Sequence, residues 1–94
     1  MADDLGSVAL AALDDVLRQR PRADPVAFSQ ATRGVAALRD QVATEPPGPG
    51  RRGRLNHVNA VLAMVLAGHF PSGPVPWHEI EAARGWLADV VRPA

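Results

Sequence analysis

Three clusters of Pro and Gly divide the 94-residue chain into four stretches, and this punctuation constrains the fold more than any other feature. Proline lacks the backbone N–H that a helix interior or a central strand uses, so regular structure stops at Pro21, across Glu45-Pro46-Pro47-Gly48-Pro49-Gly50, and between His69 and Pro76. Between the breaks, apolar residues recur at intervals of three and four, the period of a helix with one buried face.

The first stretch, about residues 4–20, carries Leu5, Val8, Ala9, Ala12, Leu13, Val16 and Leu17 on one side and Asp14, Asp15 and Arg18 on the other. Asp3 and Asp4 stand where a cap and a favourable dipole charge belong, and Pro21 closes the segment before the turn Pro21-Arg22-Ala23. Asp24-Pro25 is an N-cap residue followed by Pro at the first helical position, which opens a second helix over about 25–44 with the stripe Phe28, Ala31, Val35, Leu38 and Val42. A third helix is predicted over about 53–67, with Gly68 in the left-handed position past its end. A fourth runs over about 76–92 with the stripe Ile80, Ala83, Leu87, Val90 and Val91, acidic Glu79 and Glu81 in its first turns, and Arg92-Pro93 as its stop. No stretch alternates with period two and none has a hairpin turn, so the expected fold is all-α. Connections of roughly four to eight residues imply a small antiparallel four-helix bundle, up-down, in a single helical domain over 1–94.

The third helix is unusual. Leu55, Val58, Leu62, Val65 and Leu66 form one face, Val61 and Met64 a second, and Ala60, Ala63 and Ala67 a third. A helix apolar all round requires neighbours all round. Three partner helices of modest size leave one face for a second copy of the chain, so a homodimer is expected.

Composition narrows the function classes. With 47% hydrophobic and 21% charged residues the chain is neither wholly disordered nor collagen-like. Ten Arg cancel ten Asp and Glu, whereas nucleic-acid and anionic-lipid binders carry surplus positive charge. The connection before the fourth helix also exceeds the turn of a helix-turn-helix motif. The absence of Cys removes disulfides, thiolate metal sites and Cys nucleophiles together. The apolar run Val58 to Ala67 is half the length that a membrane span needs. The acidic start Met1-Ala2-Asp3-Asp4 is unlike a secretory signal, so a cytoplasmic location is expected. Exclusive use of Arg over Lys, with 17 Ala, is the bias of a GC-rich bacterial genome and carries no mechanistic weight.

Several residues are candidates for chemistry. Arg51, Arg52 and Arg54 stand in a Gly-rich segment just before a helix N-terminus, where free N–H groups and the dipole favour an anion, although the phosphate-loop pattern is missing. Asn59 lies between Leu55 and Leu62 and is expected to be a buried amide that fixes register against a neighbour or a second copy, with Asn56 beside a groove at Ala60 and Ala63. His57, His69 and His78 share no metal-ligand spacing, so neither a metal nor a cofactor is expected. The turn Trp77-His78-Glu79-Ile80-Glu81, with His69 and Phe70 nearby, gathers groups suited to acid–base work. Trp77 and Trp86 fall about 180° apart on their helix, which leaves one free to anchor a partner. Arg84 is expected to stack on Trp77 or to reach Glu81.

The reading these features favour is a small non-catalytic helical interaction module. It is expected to be homodimeric and to bind another protein through a surface formed by Asn56, Asn59, Val61, Met64, Trp77 and Trp86. The alternatives are a compact all-α enzyme or binder of a small anionic ligand, acting through the three Arg or the His69–His78 region, and, third, a nucleic-acid binder.

Overall fold

The structure, a computed structural model, describes residues 4–22 and 24–91. The expectations placed on Asp3, Ala23, Arg92 and Pro93 lie outside these residues. Four helices account for most of the chain: α1 (Leu5–Arg18), α2 (Pro25–Ala43), α3 (Pro49–His69) and α4 (Trp77–Val91), with no strand among the described residues. Among the described residues no helix is long and apolar enough to cross a membrane.

Capping chemistry starts the first two helices as predicted. The Asp4 carboxylate accepts from the Ser7 amide at 3.0 Å, and the Asp24 carboxylate from the Val26 amide at 2.9 Å, each satisfying one of the free donors of a first turn. Pro25 takes the first position of α2, and Gln19 Oε1 accepts from the Asp24 amide at 2.8 Å, joining the end of α1 to the start of α2.

α3 begins earlier than the sequence suggests. Pro49 opens it, because a proline that ends one helix is preorganised for the first position of the next. Its far end also differs, since Gly68 is helical and no described residue lies in the left-handed region. The constraint on Gly68 is packing. A Cβ there would lie 2.6 Å from Ile80 Cδ1 and 2.8 Å from Phe28 Cε1, so α4 and α2 approach α3 where it has no side chain.

One apolar core joins all four helices, with Leu13, Val16, Val35, Val58, Val61, Val65, Ile80 and Leu87 excluded from water. The stripe predicted for α2 is buried throughout, whereas that of α1 is rotated: Leu10 is buried and Val8 is exposed. Gly34 explains the rotation, because a Cβ on it would lie 3.2 Å from Ala9 Cα, which fixes Ala9 as the line where α1 meets α2. Each helix packs on its neighbours in chain order and α4 closes on α1, while across the diagonals the backbones stay apart and Phe28 of α2 meets Trp77 of α4 through their rings, the arrangement of a bundle.

Within a single chain α3 is not enclosed on every side. It has two neighbours, so one arc (Val58, Val61, Leu62, Val65, Gly68) is buried, and Asn56, Asn59, Ala63, Leu66 and Ala67 face water. Asn59 is therefore exposed in the single chain and not buried against one of its own helices.

Candidate functional site

The three Arg near the start of α3 do not converge. Arg51 reaches back across the connection and donates from Nη1 to the Ala43 carbonyl at 3.1 Å, placing a cation on the C-terminal end of α2, where the dipole favours it. Its Nε is buried without a partner. Arg54 is ion-paired with Glu45, and Arg52 is exposed about 100° around the helix from Arg51. Beside them a hollow of about 440 Å³ lies between the start of α3 and the end of α4, lined by Gly50, Gly53, Arg54, His57, Asp89 and Val90. The Asp89 carboxylate opposes the attraction of this hollow for an anion.

The histidines are structural contacts at two of three positions. His57 donates from Nε2 to the Trp86 carbonyl at 2.9 Å, since a carbonyl only accepts, and its ring lies 4.9 Å from the Trp86 ring, tying α3 to α4. His69 stacks between Phe28, with ring centroids 6.1 Å apart, and Phe70 at 4.2 Å. Its Nδ1 lies 3.3 Å from Thr32 Oγ1, whose hydrogen is engaged with the Phe28 carbonyl at 2.9 Å, so Nδ1–H is the donor to Thr32. His78 is exposed.

The turn from Trp77 to Glu81 is likewise dispersed. Trp77 faces Phe28 at 6.3 Å, Ile80 enters the core and Glu81 pairs with Arg20 beyond α1. Arg84 reaches neither Trp77's ring nor Glu81. It donates from Nε to Asp14 on α1 at 2.9 Å, and that bond together with the Asp14 charge raises its pKa further above the ordinary guanidinium value. The sequence gives no sign of this pair, which spans 70 residues.

What the structure does bring together is apolar surface along α3. Among the described residues the exposed large hydrophobics are Val8, Val26, Leu66, Phe70 and Trp86. Leu66 (37% exposed) and Phe70 (71%) lie on α3 and its C-cap, and Trp86 (41%) sits at the α3–α4 border beside His57. Of the residues expected to form an interface, Asn56, Asn59 and Trp86 are exposed, Met64 and Trp77 are half-buried, and Val61 is buried under its own chain because the core covers it. Leu66 was expected in the core and Phe70 in a loop, so sequence reasoning missed the two side chains that define this face. A further open groove of about 740 Å³ runs between α1 and α2 past Val8, Ala12, Asp15, Arg33, Gly34 and Ala37. Comparison of the chain with protein-family models, with curated proteins and with solved structures finds no match.

Proposed function

We propose that this chain is a small, non-catalytic helical interaction module of the bacterial cytoplasm that associates with a second copy of itself through the outward face of α3. The carrying observation is the exposure of Leu66 and Phe70, four residues apart at the end of a helix that bears no Asp, Glu, Lys or Arg after Arg54. The exposed charge of α3, Arg52 and Arg54, is confined to its first turns, whereas the other helices carry exposed charge further along, at Asp15 and Arg18 on α1, Arg33 and Asp40 on α2, and Glu81 and Asp89 on α4. Depletion of charge around exposed aromatic and aliphatic groups is the compositional mark of an interface core.

The proposal includes the antiparallel, up-down order of the helices. It is supported by the contacts along α1 and α4, where Gly6 meets Val91, Asp14 meets Arg84 and Arg20 meets Glu81, so one helix ascends as the other descends.

The non-catalytic reading draws support from the histidines: His57 and His69 are each held by a neighbouring helix, and the acid–base turn is spread over three surroundings. Molar mass by light scattering over about 10 µM to 1 mM tests the association, a range spanning weak affinities. The mass should rise toward twice 10.0 kDa. A mass fixed at 10.0 kDa over the whole series overturns the self-association.

A second reading is a binder of a small anion at the start of α3. Gly48 supplies no side-chain cap, so the first amides of α3 stay available beside Arg54, and Arg51 Nε lacks a partner. Titration with inorganic phosphate, followed by amide chemical shifts at residues 49–54, should move those signals at low salt, and unmoved signals dismiss this reading.

A further inference from the structure

The first turns of α3 are built unlike those of α2, although both helices open on Pro. α2 is capped by the Asp24 side chain and buries Ala27 and Phe28 in its first turn. α3 starts from Gly48 with no side-chain cap, and its first buried residue is Val58. Glycine occupies positions 48, 50 and 53, and a Cβ at any of them would meet nothing within 4 Å, so packing does not call for glycine there. Each helical Gly weakens helix against coil by about two- to fivefold relative to Ala. On the side of α4 the segment borders the hollow of about 440 Å³ rather than a packed surface, with Gly50, Gly53 and Arg54 facing Asp89 and Val90 across it.

Two guanidinium groups hold this segment down. Arg51 donates from Nη1 to the Ala43 carbonyl at 3.1 Å, and Arg54 pairs with Glu45. Neither clasp is strong. Water reaches the Arg54–Glu45 pair, whose side chains are 48% and 33% exposed, and screens it. Arg51 Nε is buried without a partner, a penalty that disappears when the side chain returns to water. The limit on the other side is firm, since His57 donates from Nε2 to the Trp86 carbonyl at 2.9 Å and Val58 is fully excluded from water.

We infer that residues 49–56 form a strap that melts and re-forms as one unit while the rest of the bundle stays folded, hinged at His57 and latched by Arg51 and Arg54. Opening lengthens the exposed connection from residues 44–48 to residues 44–56 and uncovers the hollow beside His57 and Asp89. It also frees Arg51 and Arg54 from their partners, so the three cations at 51, 52 and 54 become available together in the open form alone. The strap lies at the opposite end of α3 from Leu66 and Phe70 and is independent of the association proposed above.

Trypsin cuts after Arg in extended chain, so digestion of the full native chain reads the open form, at a rate that follows its population when opening and closing outpace cleavage. Cleavage after Arg51, Arg52 and Arg54 should run about tenfold or more ahead of cleavage after Arg33 and Arg39, which lie within α2. Gly50→Ala with Gly53→Ala adds no clash and should slow cleavage in the strap about tenfold, whereas Glu45→Gln, which releases Arg54 and keeps every cleavage site, should speed it by up to about fivefold. Gly85→Ala, a change in α4 far from the latch, serves as control: it should slow cleavage after Arg33 and Arg39 and leave the strap unaffected. Strap cleavage no faster than that of α2, or slowed by Gly85→Ala to the same degree, means that the segment opens only with the whole bundle and overturns the inference. A rate unmoved by the paired Gly→Ala changes overturns it as well. Hydrogen exchange then separates a unit from a fraying end: the amides of residues 52–56 should share one opening equilibrium and shift together in Glu45→Gln, while protection that climbs steadily from 52 to 56 overturns the single-unit strap.

Discussion

Gly68 of α3 and Ile80 of α4 touch so closely that a single added methyl at position 68 would sit 2.6 Å from the Ile80 Cδ1 atom. Phe28 of α2 closes the same spot from the other side at 2.8 Å. Helix propensity alone favours Ala over Gly by about 1 kcal/mol, so the site sets two effects against each other. Packing wins, because the obstructing atoms belong to fully buried Ile80 and nearly buried Phe28. Gly68→Ala should destabilise the chain by about 1–3 kcal/mol in urea unfolding.

Gly85, inside α4, gives the opposite sign. Nothing lies within 4 Å of a Cβ placed there, and the residue is exposed. Gly85→Ala should stabilise the protein by about 0.5–1 kcal/mol through backbone entropy and propensity. Equal responses at positions 68 and 85 would refute the packing argument for Gly68.

Leu13, fully buried where α1 meets the common core, is one of the three large side chains, with Ile80 and Leu87, at which truncation should be costly. Leu13→Ala should lose about 2–5 kcal/mol with a lowered urea midpoint. A loss under about 1 kcal/mol would mean the core collapses around the gap.

Asp14 and Arg84 form a charged link between α1 and α4 in which both partners are partly sheltered, at 35% and 39% side-chain exposure. Water screens a pair this open, so a double-mutant cycle with Asp14→Asn and Arg84→Gln should give a coupling below about 1 kcal/mol that shrinks in 0.5 M salt. A coupling above about 2 kcal/mol, or one insensitive to salt, would contradict the exposed geometry.

Asp4 supplies a pH dependence of known sign. Bonds from the Ser7 amide and then the Ser7 hydroxyl hold its carboxyl below the ordinary value of 3.8. A depressed folded-state pKa contributes stability that is fully present above 3.8 and lost as pH falls through the folded value. The advantage of the parent over Asp4→Ala in melting temperature should therefore be constant from about pH 7 to pH 5 and shrink toward about pH 2. An advantage that stays flat down to the lowest pH would remove the charge from the account of this cap.

Much of the helix framework is legible in the sequence because it is local. Asp24-Pro25 states its own geometry, and the α2 stripe from Phe28 to Val42 is read correctly since one face alone is apolar. α3 defeats the same procedure. When almost every side of a helix is apolar, periodicity no longer says which arc faces inward, and the choice falls to contacts such as Gly68 with Ile80 that no spacing encodes. Asn59 consequently lands in water rather than in the core. Gly68 and Pro49 were misread for a related reason, because each is compatible with two local roles and tertiary packing selects between them. Arg84 finds Asp14 across 70 residues, beyond any local pattern. The candidate interface shares this limit: its polar members were visible in the sequence, but Leu66 and Phe70 became surface residues only once the neighbours of α3 were known.

The link between α2 and α3 is bridged by side chains as well as by backbone, since Arg51 holds the Ala43 carbonyl and Arg54 holds Glu45 while Pro46, Pro47 and Gly48 stay exposed. Peptide continuity across those exposed residues duplicates a connection that the two guanidinium groups already make. A nick between Pro47 and Gly48 would leave two helix pairs with their cut ends clasped, which makes this point the natural seam for a split version of the protein that reassembles from halves.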